Sequence, residues 1–165
     1  MRRLVSGRFT PRGIGPWVAD VERIARDLLD EMYRGGDTID DDFVSAFSAR
    51  LPLEVLCAML GVPREDWSLL FDWTNGLIGS ADPEYQEEGE TQMETGTRAR
   101  LQIFGYFAQM IEERRKNPTD DITSLLAHAK LEGPDGRKSE LAPPDLLGYL
   151  FLLVIAGNET TRNAT

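Results

Sequence analysis

Residues 156–161 combine side chains that rarely occur together at the end of an apolar helix. Their sequence, Ala-Gly-Asn-Glu-Thr-Thr, directly follows a wholly apolar stretch at positions 150–155. Glycine destabilises a helix by about 1 kcal/mol relative to alanine, and β-branched threonine adds a smaller penalty. A buried glutamate is also unfavourable unless another group hydrogen-bonds it. Because proteins often break local rules where they carry out chemistry, we expect a functional site that includes Glu159 and Thr160.

This stretch resembles the oxygen-activation motif of the cytochrome P450 family, (A/G)-G-x-(D/E)-T-(T/S), which lies midway along a long helix crossing the haem face. The resemblance implies that Ala156 and Gly157 bring the helix close to the haem and leave room for dioxygen. It also implies that Thr160 delivers protons to the dioxygen and that Glu159 brings them from solvent. A local opening of the helix hydrogen bonds would be typical of such a site.

Three further segments resemble P450 sequences and occur in the order that the family has them. They are residues 1–12 (MRRLVSGRFTPR), 51–63 (LPLEVLCAMLGVP) and 120–126 (DDITSLL). On these segments the chain is identified as a member of the cytochrome P450 family. Residues 71–75 and 156–163 are most similar to the actinobacterial branch that oxidises sterol side chains and branched lipids.

The resemblance implies a mainly α fold that is one part of the P450 fold. Residues 1–165 would form a partial domain, from the helix that contacts the haem propionates through the first half of the central oxygen-binding helix. Arg2 matches the arginine of the family's His-x-x-x-Arg pair and would bind a propionate of haem b by a charge-assisted hydrogen bond.

The cysteine loop that binds the haem iron in the family, Phe-Gly-x-Gly-x-His-x-Cys, is absent from these residues, as is the Glu-x-x-Arg pair. Cys57 is the only cysteine, and it lies in an amphipathic stretch without the glycines of that loop. We therefore expect Cys57 to be a core residue, predict no metal ligand in the chain, and expect the chain alone to be inactive.

Four residues are candidates for contact with a hydrophobic small-molecule substrate. Leu152 and Ile155 lie within about one helical turn before the motif and would face the substrate. A helix beginning at Pro63 is expected to cover the pocket, as in the family, so that Trp73 or Leu77 would also contact the substrate. We expect the other large residues of that helix face to be buried: Trp67, Leu70, Phe71, Thr74 and Ile78.

Charge is distributed unevenly along the chain. The net charge is −10, yet the first fifteen residues carry arginine at positions 2, 3, 8 and 12 and no acid. A basic surface on an acidic protein suits an acidic partner, and the resemblance implies a ferredoxin-type electron donor served by an NAD(P)H reductase. The alternative is that these arginines pair with the haem propionates and the core rim. The short basic stretch argues against nucleic acid as a partner.

The sequence shows no sign of membrane insertion or export. No apolar run follows the first arginines, as it would in a signal peptide. The longest apolar run, residues 146–157, is shorter than the ~20 residues that a membrane span requires. Because the chain has a single cysteine and a negative net charge, we expect a cytoplasmic protein without a membrane span.

Apolar spacing and capping residues predict a succession of helices. The predicted helices cover residues 16–34, 45–60, 63–78, 91–116, 120–129 and a final segment from Pro143. The buried face of the first would include Val18, Ile24, Leu28, Leu29 and Met32. That of the fourth would consist of Leu101, Phe104, Ala108 and Ile111. Thr119 or Asp120 would cap the fifth, with His128 on its surface.

The predicted connections are polar. Residues 38–44 suit a short strand or loop, and the acidic run at positions 37–42 lacks the glycine and glutamate of a calcium-binding loop. Residues 79–89 would form a mobile loop, which in the family is the entrance to the substrate pocket. Pro134-Asp135-Gly136 predicts a turn.

Two other functions remain open at this point. The chain could be a non-catalytic helical remnant or interaction protein that uses its last helix to pack against a partner. It could also be a peroxygenase-like relative, although the Glu159–Thr160 pair argues against that function.

Overall fold

A computed structural model of the chain describes residues 2–33, 42–132 and 137–162, and the side chains of Arg2, Arg3, Glu159, Thr160 and Arg162 lie outside this description. Most of the described backbone is helical, so the expected mainly α fold is confirmed. The helices are α1 (Arg2–Val5), α2 (Pro11–Ile14), α3 (Val18–Tyr33), α4 (Arg50–Leu60), α5 (Trp67–Ile78), α6 (Gln92–Lys116), α7 (Ile122–Ala127) and α8 (Pro143–Arg162).

Short helical turns connect several of these helices. The 3-10 turns are Ser6–Phe9, Gly15–Trp17, Arg64–Asp66 and Pro83–Tyr85, and a π-helix covers Val44–Ser48. The predicted second helix therefore consists of a π-helical turn followed by α4. Most of the acidic run at 37–42, and the glycines predicted to end α3, lie outside the described residues.

Helix α6 begins and ends where the sequence predicts because both of its ends are capped. The Glu94 N–H donates to the Thr91 hydroxyl at 3.3 Å, and the Thr91 N–H donates to the Glu94 carboxylate at 2.8 Å. This reciprocal pair satisfies two backbone donors at the start of the helix. Three cations in the last turn suit the negative end of the helix dipole: Arg114, Arg115 and Lys116.

Helix α7 is capped by Asp121, so the prediction of Thr119 or Asp120 as its cap is wrong. The Ser124 N–H donates to Asp121 Oδ1 at 2.6 Å. The helix ends two residues earlier than predicted, and His128 is its C-cap. Asp121 is the cap because Arg114 of α6 donates a hydrogen bond to its other carboxylate oxygen. The local sequence around α7 does not reveal this contact.

The hydrophobic core lies around α4, which packs against α3 and α8, while α6 packs against α5, α7 and α8. Its most deeply buried large side chains are Ile24, Leu28, Leu53, Leu60, Leu70, Ile103, Phe107, Leu126, Leu146, Leu150 and Val154. In α3 the prediction of buried Ile24, Leu28 and Met32 is confirmed, whereas Val18 and Leu29 are exposed.

The buried face of α6 differs from the predicted one. The side chains that α6 buries are Thr95, Ala99, Ile103, Phe107, Met110 and Ile111. Leu101, a predicted core residue, is 64% exposed, and Phe104 is half-buried against Phe151 of α8, with ring centroids 5.0 Å apart. Ala99 lies on the face that α6 turns toward α5, since a Cβ on Gly76 would be 3.8 Å from the Ala99 Cβ, an ordinary contact distance. Ile78 of α5 is likewise exposed and not buried.

A two-stranded antiparallel hairpin precedes α8, where the sequence predicts only a turn. Strand β1 (Lys130–Glu132) pairs with β2 (Lys138–Glu140) in the register Lys130↔Glu140, and both strands are exposed. The predicted turn residues lie outside the described residues. Strands of three exposed residues are too short to show the alternating pattern by which a strand is recognised in a sequence.

The Asp121 carboxylate joins the ends of α4 and α6 to the start of α7. Its Oδ2 accepts hydrogen bonds from Arg114 Nε at 2.7 Å and from Thr119 Oγ1 at 2.5 Å. Arg114 Nη2 also donates to the carbonyl oxygen of Gly61, at 2.7 Å. Gly61 has a φ of +78°, and a Cβ at this position would collide with the Asp121 carboxylate. Position 61 therefore requires glycine for two reasons, the positive φ angle and the close approach of the Asp121 carboxylate.

Removing this carboxylate should destabilise the fold. We predict that Asp121→Ala lowers the free energy of unfolding by about 3 kcal/mol, because it leaves the largely buried Arg114 guanidinium without its partner. The neighbouring Asp120→Ala is the matched control, since the Asp120 side chain is 86% exposed and should cost less than about 1 kcal/mol. Urea denaturation of both variants measures the difference, and equal losses would contradict the structural role of Asp121.

Candidate functional site

Helix α8 carries the candidate motif and is fixed by one deeply buried face. Leu146, Leu150, Val154 and Asn158 recur every four residues and are at most 1% exposed. Residues at this spacing lie one above another on a helix, so α8 presents a continuous stripe to the core. The orientation of the opposite face is thereby set.

The opposite face of α8 is exposed and carries small or apolar side chains. Gly148, Leu152 and Ala156 follow one another at four-residue spacing, and Leu152 is 57% exposed. Ile155 lies at the edge of this face and is half-buried. Glu159 and Thr160 belong to the last turns of α8 by their backbone, and their side chains lie outside the described residues. The predicted residues Leu152, Ile155 and Ala156 are thus brought together along one helix.

Gly157 lies where α8 passes α4. A Cβ on Gly157 would be 2.8 Å from Leu56 Cδ1, closer than carbon atoms normally approach. An apolar cavity of about 340 Å³ adjoins this crossing and is lined by Val21, Leu51, Pro52, Val55, Leu56, Gly157 and Thr161. The glycine of the motif therefore permits close packing of two helices, in addition to any role toward a cofactor.

Asn158 is a feature of the motif that the sequence analysis did not single out. Its side chain is 1% exposed, and its Oδ1 has no hydrogen-bond partner among the described residues. An unsatisfied buried polar group typically costs about 1–3 kcal/mol. The four-residue spacing from Leu150 and Val154 was the signal that could have placed Asn158 on the core face.

Cys57 is fully buried in α4, as predicted. Burial raises the pKa of its thiol to about 12, and the nearby Glu54 carboxylate adds to the rise. A thiol with such a pKa is protonated at neutral pH and is a poor metal ligand. The described residues contain no group of three or more histidine, cysteine or acidic side chains placed to hold a metal ion.

Trp73 and Leu77 lie on the α5–α6 side of the molecule. The Trp73 ring packs edge-to-face against Tyr106, with centroids 5.9 Å apart, and also borders a cavity of about 270 Å³. Leu77 borders a different, open cavity of about 640 Å³. Neither cavity has a lining residue from α8, so the structure does not bring Trp73 and Leu77 together with Leu152 and Ile155 in one of these cavities.

The connection between α5 and α6 is tied to α6 by an ion pair. Arg98 Nε donates to Glu90 Oε1 at 2.7 Å and Arg98 Nη2 donates to Glu90 Oε2 at 2.8 Å. The same Nη2 donates to the Tyr85 carbonyl oxygen at 3.1 Å. These hydrogen bonds lower the pKa of the Glu90 carboxyl to about 2, chiefly through Arg98. The pair holds residues 85–90 against α6 in this structure.

The basic first segment is partly neutralised within the chain. Arg8 forms an ion pair with the exposed Asp120, and Arg12 is exposed at the last turn of α2. The side chains of Arg2 and Arg3 lie outside the described residues. Within the described ranges, every helix falls short of the length or the apolarity needed to cross a membrane.

The chain is similar in sequence to a bacterial monooxygenase and a bacterial hydroxylase. The chain is 38% identical to the steroid C26-monooxygenase of Rhodococcus jostii over 164 residues, which are 99% of this chain and 32% of that protein. It is 34% identical to the methyl-branched lipid omega-hydroxylase of Mycobacterium tuberculosis, over 99% of this chain and 36% of that protein. A comparison with models of protein families found no match.

The solved structures agree with the sequence relatives. The structure of a Mycobacterium marinum cytochrome P450 in complex with pseudoionone superposes with a TM-score of 0.83 at 31% identity, covering 98% of this chain and 37% of that one. The chain is therefore a homologue of the bacterial cytochrome P450s and has the fold of the corresponding part of these proteins. It spans about a third of the length of the curated relatives that it matches.

Two glycines of α8 should respond differently to the same substitution. Gly148→Ala should stabilise the protein by up to about 1 kcal/mol, because alanine favours the helix and nothing lies within 4 Å of the added Cβ. Gly157→Ala should gain less or lose stability, because its Cβ meets Leu56. In a protein that already carries Leu56→Ala, Gly157→Ala should raise the stability as Gly148→Ala does, because the added Cβ no longer meets the Leu56 side chain. Thermal unfolding of the variants measures this, and equal effects of the two glycine substitutions would contradict the close approach of α8 to α4.

Proposed function

We propose that this chain forms the central part of a haem-thiolate monooxygenase that inserts one atom of dioxygen into a hydrophobic substrate of the sterol or branched-lipid class. The observation that carries the proposal is the exposed apolar face of α8, which leads directly into the Ala-Gly-Asn-Glu-Thr-Thr motif. The names of the relatives from Rhodococcus jostii and Mycobacterium tuberculosis, a steroid monooxygenase and a lipid hydroxylase, support this substrate class.

The residues of this face fit a haem group. Gly148, Leu152 and Ala156 offer a stripe of small or apolar side chains, and the described part of the stripe carries no charge that would oppose an apolar ring. Haem b, when bound, supplies the activation of dioxygen. In this proposal Arg2 binds one propionate, and the iron ligand is a cysteine outside these 165 residues.

Glu159 and Thr160 are proposed to move protons at the end of this stripe. Thr160 follows Ala156 by four residues, so the helical register places the two backbone positions on the same side of α8. With haem bound, the Thr160 hydroxyl would pass on a proton at this end of the stripe, and the Glu159 carboxyl would replace that proton from solvent. Ala156 adds little bulk to this side of α8, while Gly157 allows the close packing on α4 that holds this turn in place.

Apolar side chains are proposed to position the substrate. Leu152 lies one turn before Ala156 and is 57% exposed, so it can contact a hydrophobic molecule above the haem. Ile155 borders the same face. Trp73 and Leu77 are proposed to contact the substrate from α5, on the side that the connection to α6 covers.

Electrons are proposed to arrive from a ferredoxin-type donor, reduced in turn by an NAD(P)H reductase. The supporting observation is charge: Arg8 and Arg12 lie in the basic first segment of a chain whose net charge is −10. Opposite charges steer such partners together. Arg12, which is exposed, is the more available of the two because Arg8 pairs with Asp120.

Thr160 variants of the full-length enzyme test the proposal. Thr160→Ala should lower the amount of product formed per NAD(P)H consumed by about tenfold or more, because proton delivery fails while electrons are still used. The lost electrons should leave as hydrogen peroxide. Thr160→Ser retains a hydroxyl and should retain most of the coupling, whereas Glu159→Gln should slow turnover more than it uncouples it.

Thr161→Ala is the matched control, since it removes a hydroxyl one residue further along the same helix. It should leave the ratio of product to NAD(P)H close to that of the wild type. Haem content is measured in every variant, so that loss of the cofactor is not mistaken for loss of coupling. Equal coupling in Thr160→Ala and the wild type would refute the role proposed for Thr160.

A further inference from the structure

An open cavity lies between the end of α5 and the first turns of α6, on the far side of α6 from the Glu90–Arg98 pair. Its volume is about 640 Å³, within the range of about 300–1,000 Å³ typical of small-molecule sites. Its lining includes Leu77, Ser80, Met93, Gly96, Thr97 and Arg100. The cavity thus combines apolar side chains with one cation.

Arg100 is exposed and, unlike most of the arginines that the structure describes, has no acidic partner among the described residues. Among the described residues, no carboxylate lies within 4 Å of its guanidinium, whereas Arg98, two residues earlier on α6, pairs with Glu87 and Glu90. The residues one turn away on α6, at positions 96, 97, 103 and 104, are all uncharged. Its five N–H donors are therefore available to a ligand.

A second donor lies beside Arg100. Gly96 precedes Arg100 by four residues and so shares its helix face, and a Cβ on Gly96 would lie 3.6 Å from the Ser80 Cβ. Long helical side chains lean toward the helix N-terminus, so the Arg100 guanidinium extends toward Gly96 and Ser80. The Ser80 hydroxyl has no partner among the described residues and can donate to the same group.

The acids nearest to the cavity are already engaged. Glu94, in the first turn of α6, accepts hydrogen bonds from the Thr91 N–H and hydroxyl at 2.8 and 2.7 Å. These hydrogen bonds lower the pKa of its carboxyl. Glu90 is held by Arg98. Glu94 keeps its negative charge, but neither carboxylate lies within 4 Å of the Arg100 guanidinium, so the N–H donors of Arg100 are left for an anion.

Two other lining residues, Leu77 and Met93, provide apolar contacts. Leu77 is half-buried on α5, and Met93 is 78% exposed on α6. Methionine is flexible and polarisable, so its side chain can adapt to a hydrophobic chain of variable shape.

We propose that this cavity binds an amphipathic carboxylic acid. Arg100 and Ser80 hold the carboxylate, and Leu77 and Met93 contact the hydrocarbon chain. A carboxylate fits the planar guanidinium by two parallel hydrogen bonds, which favours it over a neutral head group. The proposal rests on these contacts and is independent of the haem chemistry assigned to α8.

Titration of the 165-residue chain with dodecanoate, followed by amide NMR, tests this proposal. The amide signals of Ser80, Gly96 and Thr97 should shift and saturate in the wild type. Arg100→Gln should weaken the binding about tenfold, as expected for the loss of a charge-assisted hydrogen bond, and Ser80→Ala should weaken it less. 1-Dodecanol has the same hydrocarbon chain as dodecanoate but carries no charge. Its affinity for the wild type should therefore be no higher than the affinity of dodecanoate for Arg100→Gln.

Arg26→Gln makes the same change of charge on an exposed arginine of α3 and should leave the affinity unchanged. Circular dichroism confirms that each variant is folded, which is expected because Arg100 is exposed. Equal affinity of the wild type and Arg100→Gln for dodecanoate would overturn the proposal. So would equal binding of dodecanol and dodecanoate, or saturable shifts confined to α8.

Discussion

The Asp121 carboxylate lies where the ends of α4 and α6 meet the start of α7, and three segments of the chain depend on it. One oxygen caps α7, and the other accepts from Arg114 of α6, whose guanidinium also binds the carbonyl oxygen of Gly61. The buried Thr123 hydroxyl adds a further hydrogen bond to the Leu60 carbonyl oxygen, at 2.8 Å. The Asp121 carboxylate is buried, and moving any of its partners would leave a buried charge without a hydrogen bond. The ends of α4 and α6 and the start of α7 are therefore held in one relative arrangement.

The position of α8 follows from this arrangement. Helix α4 extends from Gly61 back to Arg50 and meets α8 at the contact of Leu56 with Gly157. Leu150 and Val154 then fill the space next to the α4 core, which leaves Leu152 and Ala156 on the outer face. The backbone of the motif is therefore oriented by packing on its buried side, and Leu152 and Ala156 lie on the exposed side.

The sequence predicted the helices well, because they depend on local patterns such as the Thr91–Glu94 cap and the apolar run before Gly157. It was less successful where tertiary contacts decide. Leu101 and Ile103 are equally apolar, but only Ile103 lies on the buried face of α6 with Ala99. Asp120 and Asp121 are equally good capping residues, and the distant Arg114 selects between them. Asn158 is buried by its register on α8, and the sequence analysis made no prediction about its side chain.

The orientation of α8 is the claim on which the proposed function depends, and thiol labelling tests it most directly. In the full-length enzyme, Leu152→Cys and Val154→Cys would be treated with a thiol reagent with and without haem and a hydrophobic substrate, and each site would be read by peptide mass spectrometry. The orientation described here predicts that Leu152→Cys reacts readily and is protected by haem and substrate, while Val154→Cys and the buried Cys57 stay unreactive throughout. Reaction of Leu152→Cys at the same rate with and without haem and substrate, or faster reaction of Val154→Cys, would contradict it.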